Sequence, residues 1–246
     1  MTSALELAHL RKAFGGLTAT DDVSLSVAQG ERRLIIGPNG AGKTTLFNLI
    51  TGDLRLDSGH VRLFGEDVSA LRTDQRAQRG LARTFQIITL FARDTLEHNL
   101  VLSLLGVTRS RWNALSTLSR RRDLRERARG LLGQVGLEAL AERTVASVSY
   151  GERRRLEIAM ALAQAPRVLL LDEPLAGLSK EERVTVSALV AAIPRTTTVI
   201  LIEHDMDSAL ELADQITLLH YGRVIVQGDR AHVVNDPRTR EVYLGN

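Results

Sequence analysis

The sequence predicts an α/β protein: a mainly parallel sheet covered by helices, with a helical lobe inserted into it. Residues 168–171 and 198–202 are short apolar runs of strand length, the pattern of strands buried on both faces. Helical patterns at 181–193 and 207–213 stand between and after them, and that alternation implies parallel strands joined by helices. Residues 94–146 read as helical throughout, unlike the segments on either side. Along the chain, 5–10 and 23–27 alternate apolar and polar residues, as half-buried strands do. Gln29-Gly30 turns into a strand at 33–36, which ends in a glycine-rich loop, and 44–50 read as a helix closed by Gly52. A strand at 59–63 turns at Gly65-Glu66, and 215–220 with 223–226 form an antiparallel hairpin around Tyr221-Gly222. The 246 residues fit a single domain, 1–246, with the helical lobe spanning approximately 94–165 inside it.

Composition removes several classes. Hydrophobic residues at 44% and charged residues at 25% sit near globular averages and exclude a disordered or fibrous chain. The net charge of +3 is too small to argue for nucleic acid, and none is expected as a partner. Without cysteine there is no disulfide framework or thiolate metal site, which suits a reducing compartment. Residues 1–10 carry no signal-peptide pattern, and no run approaches the roughly 20 apolar residues of a membrane helix. Work at a membrane would need another chain to span it.

The glycine-rich loop carries the chemistry. Gly37, Pro38, Asn39, Gly40, Ala41, Gly42, Lys43 and Thr44 fit G-x-x-x-x-G-K-[ST], with a strand before and a helix after. This predicts a P-loop NTPase core. Glycines let backbone N–H groups wrap phosphate oxygens, and the following helix turns its positive end to the same anion. Lys43 is expected on the β and γ phosphates of ATP, and the Thr44 hydroxyl on Mg²⁺. The second half is residues 168–171 followed by Asp172-Glu173, two carboxylates at the carboxyl edge of a buried strand. Asp172 can hold the magnesium through water, and Glu173 can act on the attacking water. A solvated Asp-Glu-Pro turn would explain the pair alone, but not beside Lys43.

Ser149-Tyr150-Gly151-Glu152 opens a helical pattern, and Ser149 with Glu152 makes a capping box, a sufficient local reason for both. Its place just before the Asp172-Glu173 strand, with the P-loop upstream, resembles the ABC-transporter ATPases, whose signature motif sits there. The resemblance covers nearly the whole chain. It implies an ABC ATPase fold with an antiparallel β subdomain beside the P-loop core and the helical insertion. It places Phe14 on the adenine, Gly37 to Lys43, Thr44 and Thr45 on the phosphates, and Gln86 in the Q-loop at the metal. Ser149, Gly151 and Glu152 would cap nucleotide, Ala176-Gly177-Leu178-Ser179 would be the D-loop, and His204 the switch histidine. Taken singly, Phe14 reads as core and His204 as a loop residue.

Tyr150, Glu152 and Ser179 depart from the commoner family residues. The first two resemble the branch of branched-chain amino acid importers, as do Ala82 to Gln86, Glu203 to Asp207 and the ending Asp236-Pro237 to Gly245. That branch implies transmembrane permease subunits, a second ATPase subunit that is a paralogue rather than a copy, and indirectly a substrate-binding protein. The expected place is peripheral, on the cytoplasmic face of the inner or plasma membrane. Urea or amide import, lipopolysaccharide export and a soluble ABC ATPase are the alternatives. The basic run from Arg109 to Arg129 reads either as a solvated face or as a contact for anionic headgroups.

Overall fold

Two sheets position the site. The structure, a computed structural model, describes residues 3–84, 90–106, 117–203 and 209–244. Strands β1 (Ser3–Phe14) and β2 (Leu17–Ala28) are longer than their alternating cores suggested and pair antiparallel through several register shifts. After β3 (Arg32–Ile36) and helix α1 (Lys43–Thr51), strand β4 (Ser58–Leu63) returns to β1 and β5 (Glu66–Asp67) follows it. These make an antiparallel sheet in the order β2-β1-β4-β5. A short helix, α2 (Thr73–Ala77), leads to β6 (Leu81–Arg83), a strand too brief to show a period in the sequence.

The second sheet runs β10-β9-β3-β8-β7-β6, where β7 is Val168–Asp172, β8 Thr198–Ile202, β9 Gln215–His220 and β10 Arg223–Gly228. All its pairings are parallel except the β9–β10 hairpin. Every residue of β7 and β8 is buried, as expected for strands covered on both faces. Strand alternation then divides the core. Leu34, Ile36, Leu169, Leu171 and Val199 pack with helices α5 (Tyr150–Leu162) and α6 (Lys180–Ala192) through Ile158, Val186 and Val190. Ile35, Leu170, Ile200 and Ile202 pack on the other side with Leu46, Phe47 and Ile50 of α1 and with the antiparallel sheet.

A third cluster joins helix α3 (Leu96–Gly106), helix α4 (Thr117–Gln134) and α5 through Leu96, Leu100, Leu104, Ala128, Leu132 and Leu156. The basic run is partly neutralised there: Arg129 reaches Glu97 at 2.7 Å and Glu142 at 2.9 Å, and Arg125 reaches Glu97 at 3.2 Å. Arg109 and Arg111 lie outside the described residues, as do the side chains of Arg120 and Arg121. The helix read at 207–213 is described only from 209, where it ends at 210 in a turn. Two helices, Arg230–Asn235 and Pro237–Leu244, close the chain beyond the hairpin. Among the described residues no helix is long and apolar enough to cross a membrane.

Candidate functional site

The loop after β3 is shaped by its glycines. Gly37 (φ 152) and Gly42 (φ 99) have positive φ, and a Cβ on either would lie 2.2 Å from the Leu219 carbonyl oxygen or 2.3 Å from that of Ala19. Only glycine fits both the conformation and the approach. Helix α1 then starts with neither a side-chain cap nor an acidic residue in its first turn. Helices α5 and α6, by contrast, are capped by Ser149 and Ser179. The free amides at the start of α1 therefore face an open loop without a carboxylate cap of their own, which is what an anion requires. Asn39, Gly40 and Thr44 are exposed, Pro38 and Thr45 half-buried, and Gly37, Ala41 and Lys43 buried.

Lys43 folds back along the loop, its Nζ donating to the carbonyl oxygens of Gly37 at 2.6 Å and Pro38 at 3.1 Å. Burial lowers its pKa below the ordinary 10.5, while the charges of Glu173 and Asp172 pull upward. Loop lysine and both carboxylates thus share one electrostatic site, brought together by the strand order β3-β8-β7.

Asp172 ends β7 and is 1% exposed. Its Oδ2 accepts from Arg83 at 2.6 Å, whereas its Oδ1 is buried without a hydrogen-bond partner. An orphaned carboxylate oxygen is costly unless a ligand completes it, so the site fits a hydrated divalent cation carried with nucleotide. Glu173 follows in a left-handed conformation, φ 48, with its N–H donating to Ile202 at 2.9 Å. That uncommon backbone is held from below by Arg154 of α5, which donates to the carbonyls of Asp172 at 2.8 Å and Pro174 at 3.2 Å, and to that of Glu173. Glu157 balances the Arg154 charge at 2.8 Å, and Glu203 accepts from the Leu175 N–H at 2.6 Å. The Asp172-Glu173 turn is therefore clamped by two elements.

Ser149 and Glu152 do form the capping box, with bonds of 3.2 and 2.6 Å. The Gly151 N–H donates to Glu182 of α6 at 3.2 Å, and Glu182 also accepts from the Ser179 N–H at 3.0 Å. Those backbone donors hold the Glu182 carboxyl below its usual range, Ser179 contributing most. Ser179 itself caps α6, so serine and aspartate are equivalent here as helix starters. Tyr150 lies against the turn at 176–179, its ring 3.3 Å from where a Cβ on Gly177 would stand. The hydrogen bonds of Ser149 and Gly151 thus run to the capping box and α6 and leave the phosphate loop of the same chain untouched.

Phe14 ends β1 and is 46% exposed, with Lys12 Nζ 5.6 Å from the ring centre, so it is a surface aromatic and not core. Gln86 and His204 lie outside the described residues. Arg83, Arg154 and Glu182 were not anticipated. Only Glu182 had a local signal, the S-x-x-E pattern from Ser179.

The sequence profile of the ABC transporter family matches residues 20–176. The high-affinity branched-chain amino acid transport ATP-binding protein BraF of Pseudomonas aeruginosa is 37% identical, over 98% of this chain and 97% of its own length. The lipopolysaccharide export system ATP-binding protein LptB of Acidithiobacillus ferridurans is 36% identical, over 100% and 98%. The crystal structure of MJ1267, an ATP-binding cassette of an ABC transporter in its ADP conformation, matches all of both chains with a TM-score of 0.86 at 30% identity. With the profile, near-full-length relatives and the fold in agreement, the chain belongs to the ABC transporter family, as an ATP-binding subunit that hydrolyses ATP in transport.

Proposed function

We propose that the chain binds Mg-ATP between its phosphate loop and a second subunit's signature loop, and that the resulting closure drives transmembrane permease subunits in branched-chain amino acid import. The observation that carries this is the meeting of Lys43, Asp172 and Glu173 at the sheet's carboxyl edge, with one Asp172 oxygen buried and unpartnered. Gly37 to Thr45 would cradle the phosphates, Lys43 exchanging its loop carbonyls for phosphate oxygens. Magnesium, held by Thr44 and Asp172 with Gln86 nearby, would supply charge neutralisation at the β and γ phosphates. Glu173 orients and deprotonates the attacking water, His204 steadies the transferring group, and Phe14 supports the adenine. Ser149, Gly151 and Glu152 would complete the partner's site, consistent with their bonds leaving the chain's own phosphate loop untouched.

The branched-chain cargo is favoured by BraF and by the Tyr150-Gly151-Glu152 form of the signature. LptB supports lipopolysaccharide export as the second reading. In either case the chain would sit at the cytoplasmic face through its permease, with the segment 87–99 as the groove that receives it. The test is Glu173→Gln. Turnover should fall about 10²- to 10⁴-fold with ATP binding kept, and undiminished steady-state hydrolysis would sink the assignment. Leucine uptake in vesicles containing the cognate permease distinguishes the two cargoes.

A further inference from the structure

We propose that Arg83 is the positioning residue for the metal carboxylate: it pins one oxygen of Asp172 and thereby aims the other at the magnesium position. The inference rests on the Mg-ATP reading above. Arg83 ends β6, beside β7, and its side chain is 7% exposed. One arm of the guanidinium donates to Asp172 Oδ2 at 2.6 Å, and the other to Asn48 Oδ1 on α1 at 2.6 Å. Asp53, after α1, lies 3.6 Å away, and the Phe47 ring lies 5.5 Å from the guanidinium carbon.

Three physical points give this arrangement its role. An aspartate carboxyl rotates in a broad two-fold well, so fixing Oδ2 fixes the direction of Oδ1. The oxygen left over is the buried, unpartnered one. Secondly, Arg83 cannot swing across to satisfy Oδ1 as well, because its rigid fork is braced on α1 by Asn48 and over Phe47. Thirdly, Arg83 does not cancel the aspartate's attraction for a cation. Its single positive charge is shared with Asp53, which is itself held by Thr51 at 2.7 Å and Thr73 at 3.0 Å. Set between two carboxylates, Arg83 gives only part of its charge to Asp172. The brace also links Asp172 to the helix that follows the phosphate loop.

A buried ion pair that merely holds β6 to β7 would show the same distances, so the test must read the metal. In the full chain carrying Glu173→Gln and saturated with ATP, Mn²⁺ is titrated and followed by electron paramagnetic resonance. Binding of a fluorescent ATP analogue without metal is measured alongside. Arg83→Lys keeps the charge but loses the fork, and should weaken Mn²⁺ about 10- to 100-fold, the usual cost of disturbing a ligand's support. Metal-free nucleotide affinity should change by no more than about twofold, since phosphate contacts are untouched. Asn48→Ala removes only the brace; it should weaken Mn²⁺ in the same direction by less, and it decides the matter if Arg83→Lys does not fold. Unchanged Mn²⁺ affinity in a folded variant would reduce Arg83 to a structural ion pair and overturn the proposal. Tighter Mn²⁺ binding would also overturn it, by making Arg83 a competitor for the carboxylate. Asp172→Asn is the separate control: if it bound Mn²⁺ as well as its parent, the Mg-ATP reading itself would fail, independently of Arg83.

Discussion

Lys43 is poised between two sets of oxygens. Its bonds to the Gly37 and Pro38 carbonyls satisfy a buried ammonium, yet burial still lowers its pKa. Triphosphate oxygens would replace neutral acceptors with charged ones, and hydrogen bonds to charged groups contribute about 1.5–3 kcal/mol each. Lys43→Ala should therefore weaken ATP about 10- to 100-fold by isothermal titration, with unchanged affinity counting against the phosphate assignment. The lowered pKa has a sign. The folded chain surrenders this proton below the ordinary 10.5, so ATP affinity should fall as pH rises through the alkaline range leading to that value. A Lys43→Arg chain that retains binding should lack this alkaline fall. The loop and its lysine were legible because their determinants are consecutive and act through glycine backbone. The role of Arg83 was not, since it meets Asp172 across 89 residues.

Helix α5 does two jobs at once. Its first turn presents Ser149 and Gly151, and one turn later Arg154 clamps the carbonyls that hold Glu173 in its unusual conformation. Replacing Arg154 by Met would leave those carbonyls and the Glu157 carboxylate buried without their cation. Breaking a buried pair in this way costs about 3–5 kcal/mol, measurable by urea unfolding. Adding Glu157→Gln should recover part of the loss, because burial already pushes that carboxyl upward and the neutral form suits it. The final helix offers an acid test. Arg238 beside Asp236 holds its carboxyl at about 2, below the ordinary 3.8. The stabilisation is therefore present above pH 3.8 and lost as pH falls through about 2. Backbone chemical shifts of 237–244 should move in that window, and Asp236→Asn should abolish the movement. On that helix, burial pushes the Tyr243 hydroxyl upward while the Gly37 backbone pulls it down.

At the scale of the whole molecule, the strand order β3-β8-β7-β6 gathers Lys43, the Asp172-Glu173 pair and Arg83 along one edge. The turn at Ser149 to Glu152 instead bonds to α6 through Glu182, away from the chain's own phosphate loop, which suits the proposed sandwich with a second subunit. Light scattering of the Glu173→Gln chain with and without Mg-ATP tests this directly. An ATP-dependent dimer is the expected outcome if two copies complete both sites. A monomer that holds ATP tightly would point to a paralogous second subunit or to a closure that needs the permease.

What the sequence by itself determined is local. The phosphate loop, the buried strand ending in Asp172-Glu173, the capping box at Ser149 and the hairpin at Tyr221-Gly222 each lie within a few consecutive residues. Backbone freedom and side-chain period are enough to read them. Only the tertiary structure decided which Asp172 oxygen is held, what braces the Glu173 turn and where the Gly151 amide points. Those contacts span 89, 19 and 31 residues. They are chosen when β6, α5 and α6 pack against the sheet, and packing selects partners by geometry that no short stretch of sequence encodes.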